Sequence, residues 1–210
     1  MLFDDSYLTL SGKGLSDIRI KSSRFMGFAA PIFSETEAKL LLNNLKKEHP
    51  QANHHCYAYR LTSDQTVYRY SDDREPSGSA GKPILGALNS NGITYAMVVV
   101  VRYFGGTQLG IPGLIQAYRE SAMQAIAAAG TKEEFIRERF RLEFPYDQLN
   151  EVFRVLRSAG AKITSQQPGE PSLIEVEIRR SSAQQLLNTI QTHPTLGHHC
   201  RIEPPAHGTT

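Results

Sequence analysis

Residues 96–114 read Ala96-Met-Val-Val-Val-Val-Arg-Tyr-Phe-Gly-Gly-Thr-Gln-Leu-Gly-Ile-Pro-Gly-Leu114. The run from Ala96 to Val101 is apolar at every position, which predicts a strand buried on both faces, because a half-exposed strand would alternate apolar with polar residues. The strand is expected over Ile93 to Phe104. Pro112 and Gly113 then open a long helix predicted from Leu114 to Ala129, and Gly130 closes it. A glycine-rich loop between a buried strand and a helix N-terminus leaves backbone N–H groups facing outward, with the helix dipole behind them, and this favours an anion. Gly105, Gly106, Gly110 and Gly113 supply the loop, and Arg102 and Lys82 are the cations placed to complete such a site.

Upstream stands a second loop of the same character, Tyr70-Ser-Asp-Asp-Arg-Glu-Pro-Ser-Gly-Ser-Ala-Gly-Lys-Pro83. Ser77, Gly78, Ser79 and Gly81 add further backbone and hydroxyl donors. It is no Walker loop, since only two residues separate its glycines and Pro83 follows the Lys; the downstream glycines likewise miss the Gly-x-Gly-x-x-Gly dinucleotide pattern. Ser79-Ala-Gly-Lys82 matches the Ser-x-x-Lys of penicillin-recognising enzymes, but the Lys-Thr-Gly partner motif is absent. Asp72, Asp73 and Glu75 offer either ligands for a hard cation such as magnesium or salt links to Arg69, Arg74, Arg102 or Lys82; too few oxygen ligands are visible to favour the metal.

Working outward, Ser34 and Glu37 form a capping box, and Ala38, Leu41, Leu42 and Leu45 recur at helical spacing until His49-Pro50. Strands are expected over Arg24 to Ala30, Cys56 to Leu61 and Thr66 to Ser71, and a short helix from Pro83 to Asn89. The charged stretch Thr131 to Glu134 reads as a boundary. Beyond it the order strand, helix from Tyr146, two strands, a helix capped by Ser181 with Gln184 and a last strand at Arg201 to Glu203 predicts a ferredoxin-like α+β domain. The expected domains are therefore 1–131 and 135–205.

A local repeat, His-Pro-x-x-x-His-His-Cys, occurs at 49–56 and 193–200. His54, Cys56, His198 and Cys200 are of the types that ligate zinc, but two ordinary helix-to-strand turns explain the pattern more simply, and no metal or cofactor is expected. Two cysteines, an acidic N-terminus and no apolar run of membrane length predict a cytoplasmic protein. The formal net charge of +2 is too small to imply a nucleic-acid partner by itself.

Taken together, Lys21, Ser23, Arg24 and Phe25, then His54, Cys56 and Ala58, the Ser71 to Pro83 loop, Arg102 to Gly106, Leu109-Gly110, Gly113-Leu114 and Ala117-Tyr118 resemble the hallmark motifs of the IMPACT family in its bacterial YigZ branch. The resemblance covers about residues 18–130, and 137–204 is similar to the family's usual C-terminal domain. Arg74, Gln108 and Pro112 depart from the family pattern, which commonly has Gly, Lys and Gly there. The resemblance implies an N-terminal two-layer α/β sandwich like the second domain of a small-subunit ribosomal protein. It also implies a ferredoxin-like C-terminal domain similar to domain V of elongation factor G. Eukaryotic relatives regulate translation by binding a ribosome-associated partner protein, and bacterial members have no firmly assigned chemistry. The expectation is a translation-associated regulator that binds RNA, the ribosome or a ribosome-linked protein through Lys82, Arg102, Tyr103, Phe104 and the glycine loops. The alternatives are a magnesium-dependent enzyme acting on a phosphorylated small molecule or nucleotide, and a protein-interaction module without nucleic acid.

Overall fold

The structure, a computed structural model, describes residues 5–204; residues 1–4 and 205 of the expected domain spans lie outside the described residues. The chain divides into two compact units, one of Ser6–Glu134 and one of Asp5 with the chain from Phe135 onward. The first contains strands β1 (Ser6–Leu10), β2 (Gly14–Ile20) and β3 (Ser23–Pro31), helix α1 (Glu35–Glu48), β4 (His54–Leu61), β5 (Val67–Ser71), α2 (Gly81–Ser90), β6 (Ala96–Tyr103) and α3 (Gly110–Ala129). Five of the strands form an antiparallel sheet in the order β2-β3-β6-β4-β5, and β1 pairs separately with β7 (Thr131–Phe135).

The all-apolar run is the central strand, and its alternation decides how many layers there are. Val98 and Val100 pack with Ile84 and Leu88 of α2 and with Ala117, Ala122 and Ala125 of α3. Met97, Val99 and Val101 point the other way, into a cluster with Ala38 and Leu45 of α1. Helices cover both faces, so the unit has three layers where two were expected: a two-layer sheet would need polar residues at 97, 99 and 101. Ser34 caps α1, its hydroxyl accepting the Glu37 N–H at 3.2 Å while Glu37 accepts the Phe33 N–H at 2.9 Å.

α3 lies unusually close to the sheet. A Cβ placed on Gly14 would sit 2.1 Å from the Ala125 carbonyl oxygen, and one on Gly27 would sit 2.7 Å from that of Ser121. Ser16, between them in space, donates its hydroxyl to the Ser121 carbonyl at 2.8 Å and accepts the Gly27 N–H at 3.1 Å. The first half of the inward side of β2 thus carries Gly14 and Ser16, and only Ile18 and Ile20 beyond them give an apolar strand signal. The stretch 131–134, expected as a boundary, is most of strand β7.

The second unit runs β8 (Arg137–Phe144), α4 (Leu149–Ser158), β9 (Lys162–Gln167), β10 (Ser172–Arg179), α5 (Arg180–Thr192) and β11 (Arg201–Glu203), with sheet order β11-β8-β10-β9. That is the ferredoxin-like βαββαβ topology. Leu142, Phe144, Val152, Leu156, Val176, Ile178 and Leu186 fill its core. Two local expectations change. Tyr146–Gln148 is a single 3-10 turn ahead of α4, and α5 starts at Arg180, so Ser181 is no cap: its N–H and hydroxyl both donate to the Asp5 carboxylate. Among the described residues no helix is long and apolar enough to cross a membrane.

Both cysteines are free. Burial pushes the Cys56 thiol far up, and pushes that of Cys200 up to about 11. Since the thiolate is the nucleophile, iodoacetamide should label Cys200 at a rate still climbing between pH 9 and 10, where an ordinary thiol levels off, and should reach Cys56 only after unfolding; mass spectrometry of quenched time points reads this. The close approach of α3 makes a second prediction. Gly27→Ala should destabilise by about 1–3 kcal/mol or more, because backbone must move, whereas Gly12→Ala, with nothing within 4 Å of the added Cβ, should leave the denaturation midpoint within error.

Candidate functional site

Antiparallel register assembles the site. Arg102, near the end of β6, is paired directly with Phe25 on β3 and with His54 on β4, so all three side chains share a face. Two residues earlier, Val100 faces the helices α2 and α3, so Arg102 enters the same space close to the start of α3. It is only 4% exposed. Its guanidinium lies 5.3 Å from the Phe25 ring centre and 5.4 Å from that of Phe104.

The counter-charge comes from the 72–81 loop. Arg102 Nη1 donates to Glu75 Oε1 at 2.6 Å, and the Tyr118 hydroxyl on α3 donates to the same oxygen at 2.7 Å. Burial pushes the Tyr118 hydroxyl far up, keeping its proton available for that bond. His54 Nε2 lies 3.7 Å from the same Oε1, and its Nδ1 is 2.8 Å from the Asp73 carbonyl; a carbonyl only accepts, so Nδ1 carries the proton.

The other two carboxylates of the loop build its shape. Asp72 accepts the backbone N–H groups of Gly78, Ala80 and Gly81 at 2.9, 3.0 and 2.7 Å, tying off the start of α2. Asp73 accepts the His55 N–H at 2.7 Å, and the Cys56 thiol donates to the Asp72 carbonyl at 3.0 Å. Each of the three carboxylates therefore accepts hydrogen bonds from the chain, Glu75 through Oε1. Arg74, where the family pattern has Gly, keeps the left-handed turn at φ 71°, next to Asp73 at φ 39°, and donates to the Asn53 carbonyl at 3.2 Å.

Beside the Arg102 and Glu75 pair opens a pocket of about 460 Å³. Phe104, Leu109, Ile111 and Leu114 form its apolar walls, His54, Glu75 and Arg102 its polar floor, and Gln108 stands at its edge. Gly110 is the first residue of α3, and the Leu109 N-cap supplies no side-chain hydrogen bond, so the first-turn N–H groups of the helix lie at the pocket wall without a side-chain cap. Pro112 falls inside that turn, where its missing N–H removes no helix hydrogen bond.

Other residues singled out from sequence sit elsewhere. Tyr103 points to the α1 side, with its hydroxyl 2.9 Å from His49 Nδ1. Gly105 presses so near Ser22 that a Cβ would lie 1.8 Å from its carbonyl oxygen; Gly106 and Gly113 continue the loop and the first turn of α3. Ser77 and Lys82 are exposed near the start of α2, Ser79 is buried with its hydroxyl on the Pro76 carbonyl, and Gly78 and Gly81 donate to Asp72. His54 and Cys56 belong to one unit, His198 and Cys200 to the other, and the second triplet lies in turns ahead of β11. Among the described residues no group of three or more His, Cys, Asp or Glu is placed to hold a metal.

Sequence reading by residue type gave no role to Tyr118 or to the walls Leu109 and Ile111. A signal existed for the first: Tyr118 is the one aromatic residue in the buried stripe of α3, with the small residues Ala117, Ser121, Ala122 and Ala125 next to it.

The model of the Impact N-terminal domain matches residues 21–126, the stretch that holds this site. The IMPACT family member YigZ of Escherichia coli is 36% identical over 146 residues, covering 69% of this chain and 72% of that protein. The family member YvyE of Bacillus subtilis is 34% identical over 154 residues, covering 73% of this chain and 71% of its own length. A crystal structure of a hypothetical protein superposes with a TM-score of 0.73 at 28% identity, covering 97% of this chain and 98% of that one. With its domain match centred on the 72–81 loop, β6 and the start of α3, the chain belongs to the IMPACT family.

Proposed function

We propose that this protein is a translation-associated regulator that binds single-stranded RNA at the pocket between β6 and the start of α3. The translational context rests on family membership, since the resemblance implies that eukaryotic members regulate translation. The observation that carries the RNA reading is one juxtaposition: an uncapped helix N-terminus and the 44%-exposed ring of Phe104 border the same pocket.

The two features answer the two parts of a nucleotide. Free first-turn N–H groups and the positive end of a 20-residue helix suit a phosphate. An exposed aromatic ring backed by a guanidinium offers a stacking face for a base, and such stacking tolerates any sequence. Arg102 takes a different part from the one its charge suggests. It is the internal counter-ion of Glu75, so it holds Phe104 and the loop in place while backbone donors meet the phosphate.

Fluorescence anisotropy with a labelled single-stranded RNA of eight to ten nucleotides tests the reading. Binding should weaken with salt, and Phe104→Ala should weaken it about 5- to 150-fold, the range for a base stack worth about 1–3 kcal/mol. Absent or salt-independent binding overturns it, as does pull-down from lysate of a protein partner that survives nuclease while RNA is not retained. Arg102→Ala is unsuited to the assay for a reason that is itself measurable: it strands the Glu75 carboxylate in the interior and should cost about 3–5 kcal/mol of stability in chemical denaturation.

A further inference from the structure

Deepening that reading and resting on it, we infer that the pocket is specific for guanine among the four RNA bases. The hydrogen bonds that reach Glu75 all fall on Oε1, where Arg102 and Tyr118 donate and His54 Nε2 stands 3.7 Å away. Among the described residues none falls on Oε2, although Glu75 lines the pocket. A carboxylate fixed through one oxygen and free at the other is a directed acceptor.

His54 presents a second. Its Nδ1 proton is spent on the Asp73 carbonyl, so in the neutral ring Nε2 carries the lone pair, and His54 also lines the pocket. Arg102 keeps one donor without a partner, Nε, but that atom is buried, so the floor displays these two acceptors between apolar walls, in a volume of about 460 Å³ that lies within the usual range for small-ligand sites. Of the four bases only guanine carries two adjacent donors on its pairing edge, the ring N1–H and the exocyclic amino group. Adenine and cytosine each set one donor beside an acceptor, and uracil flanks its one donor with carbonyls that would face the Glu75 and His54 acceptors. Phe104 and Leu109 supply flat apolar cover of the kind a stacked purine needs.

The test uses the unaltered protein and varies the ligand, because Glu75→Gln would disturb the buried pair with Arg102. GMP, AMP, CMP, UMP and IMP compete against the labelled RNA, and each is also titrated alone by calorimetry. GMP should bind at least about tenfold more tightly than AMP, CMP or UMP, and IMP, which keeps N1–H but lacks the amino group, should fall well below GMP, a good two-point base contact being worth about 1–3 kcal/mol. Equal affinities, failure of GMP to compete with bound RNA, or IMP equal to GMP overturn the inference while leaving RNA binding intact. Calorimetric binding of GMP without RNA binding sinks the RNA reading and keeps the guanine pocket. No binding of either removes both. His54→Gln, at a partly exposed position, should lower the GMP preference without abolishing the fold; an unchanged preference counts against the acceptor role of His54.

Discussion

The Arg102 guanidinium is held almost out of water between two aromatic rings, and a cation in that position is tolerable only because Glu75 meets it there, with Tyr118 donating to the same Glu75 oxygen. Three parts of the chain, the end of β6, the 72–81 loop and the second turn onward of α3, are joined at one carboxylate oxygen. Loss of any partner leaves the others buried and unsatisfied, so the loop has one favourable placement. The placement of the loop sets Asp72 against the start of α2 and Asp73 against the start of β4.

A second constraint makes the first possible. Tyr118 reaches Glu75 only because α3 runs close over the sheet, and it does so by removing side chains: Gly14, Ser16 and Gly27 on the strands face alanines and Ser121 on the helix. Small residues on both sides let backbone approach backbone, as glycine permits. The same helix then projects its N-terminus past the edge of the close-packed region, where Gly110 and Ile111 border open space.

How much of this was legible in the chain follows from what each residue had to reveal. Val98 to Val101, apolar in both registers, announced a strand covered twice, yet the inherited expectation of two layers set that signal aside; α1 on the second face restores it. Ser34 with Glu37 was read correctly because both groups act within one turn. Ser181 with Gln184 has the same spelling and is no cap, since Asp5, far away in sequence, claims the Ser181 donors. β2 gives only half a strand signal, because the first two inward positions are Gly14 and Ser16, small as the near helix requires, and only Ile18 and Ile20 beyond them are apolar.

The charged residues of the candidate site stood out in the sequence, but their pairing did not. Arg102, Asp72, Asp73 and Glu75 all stood out as charged residues between glycine loops, and charge in such a place suggests a ligand of opposite sign. Register and burial assign them to each other and to backbone N–H groups instead. Those internal pairs change the chemistry that faces the pocket: Arg102 is neutralised by Glu75 and keeps only its buried Nε without a partner, one carboxylate oxygen and one imidazole nitrogen remain as acceptors, and the positive end of α3 remains at the rim. A site that seemed to ask only for an anion thus presents a floor that asks for N–H donors and a rim that suits a phosphate. A nucleotide carries both, and on the proposed reading this pairing gives the pocket its selectivity.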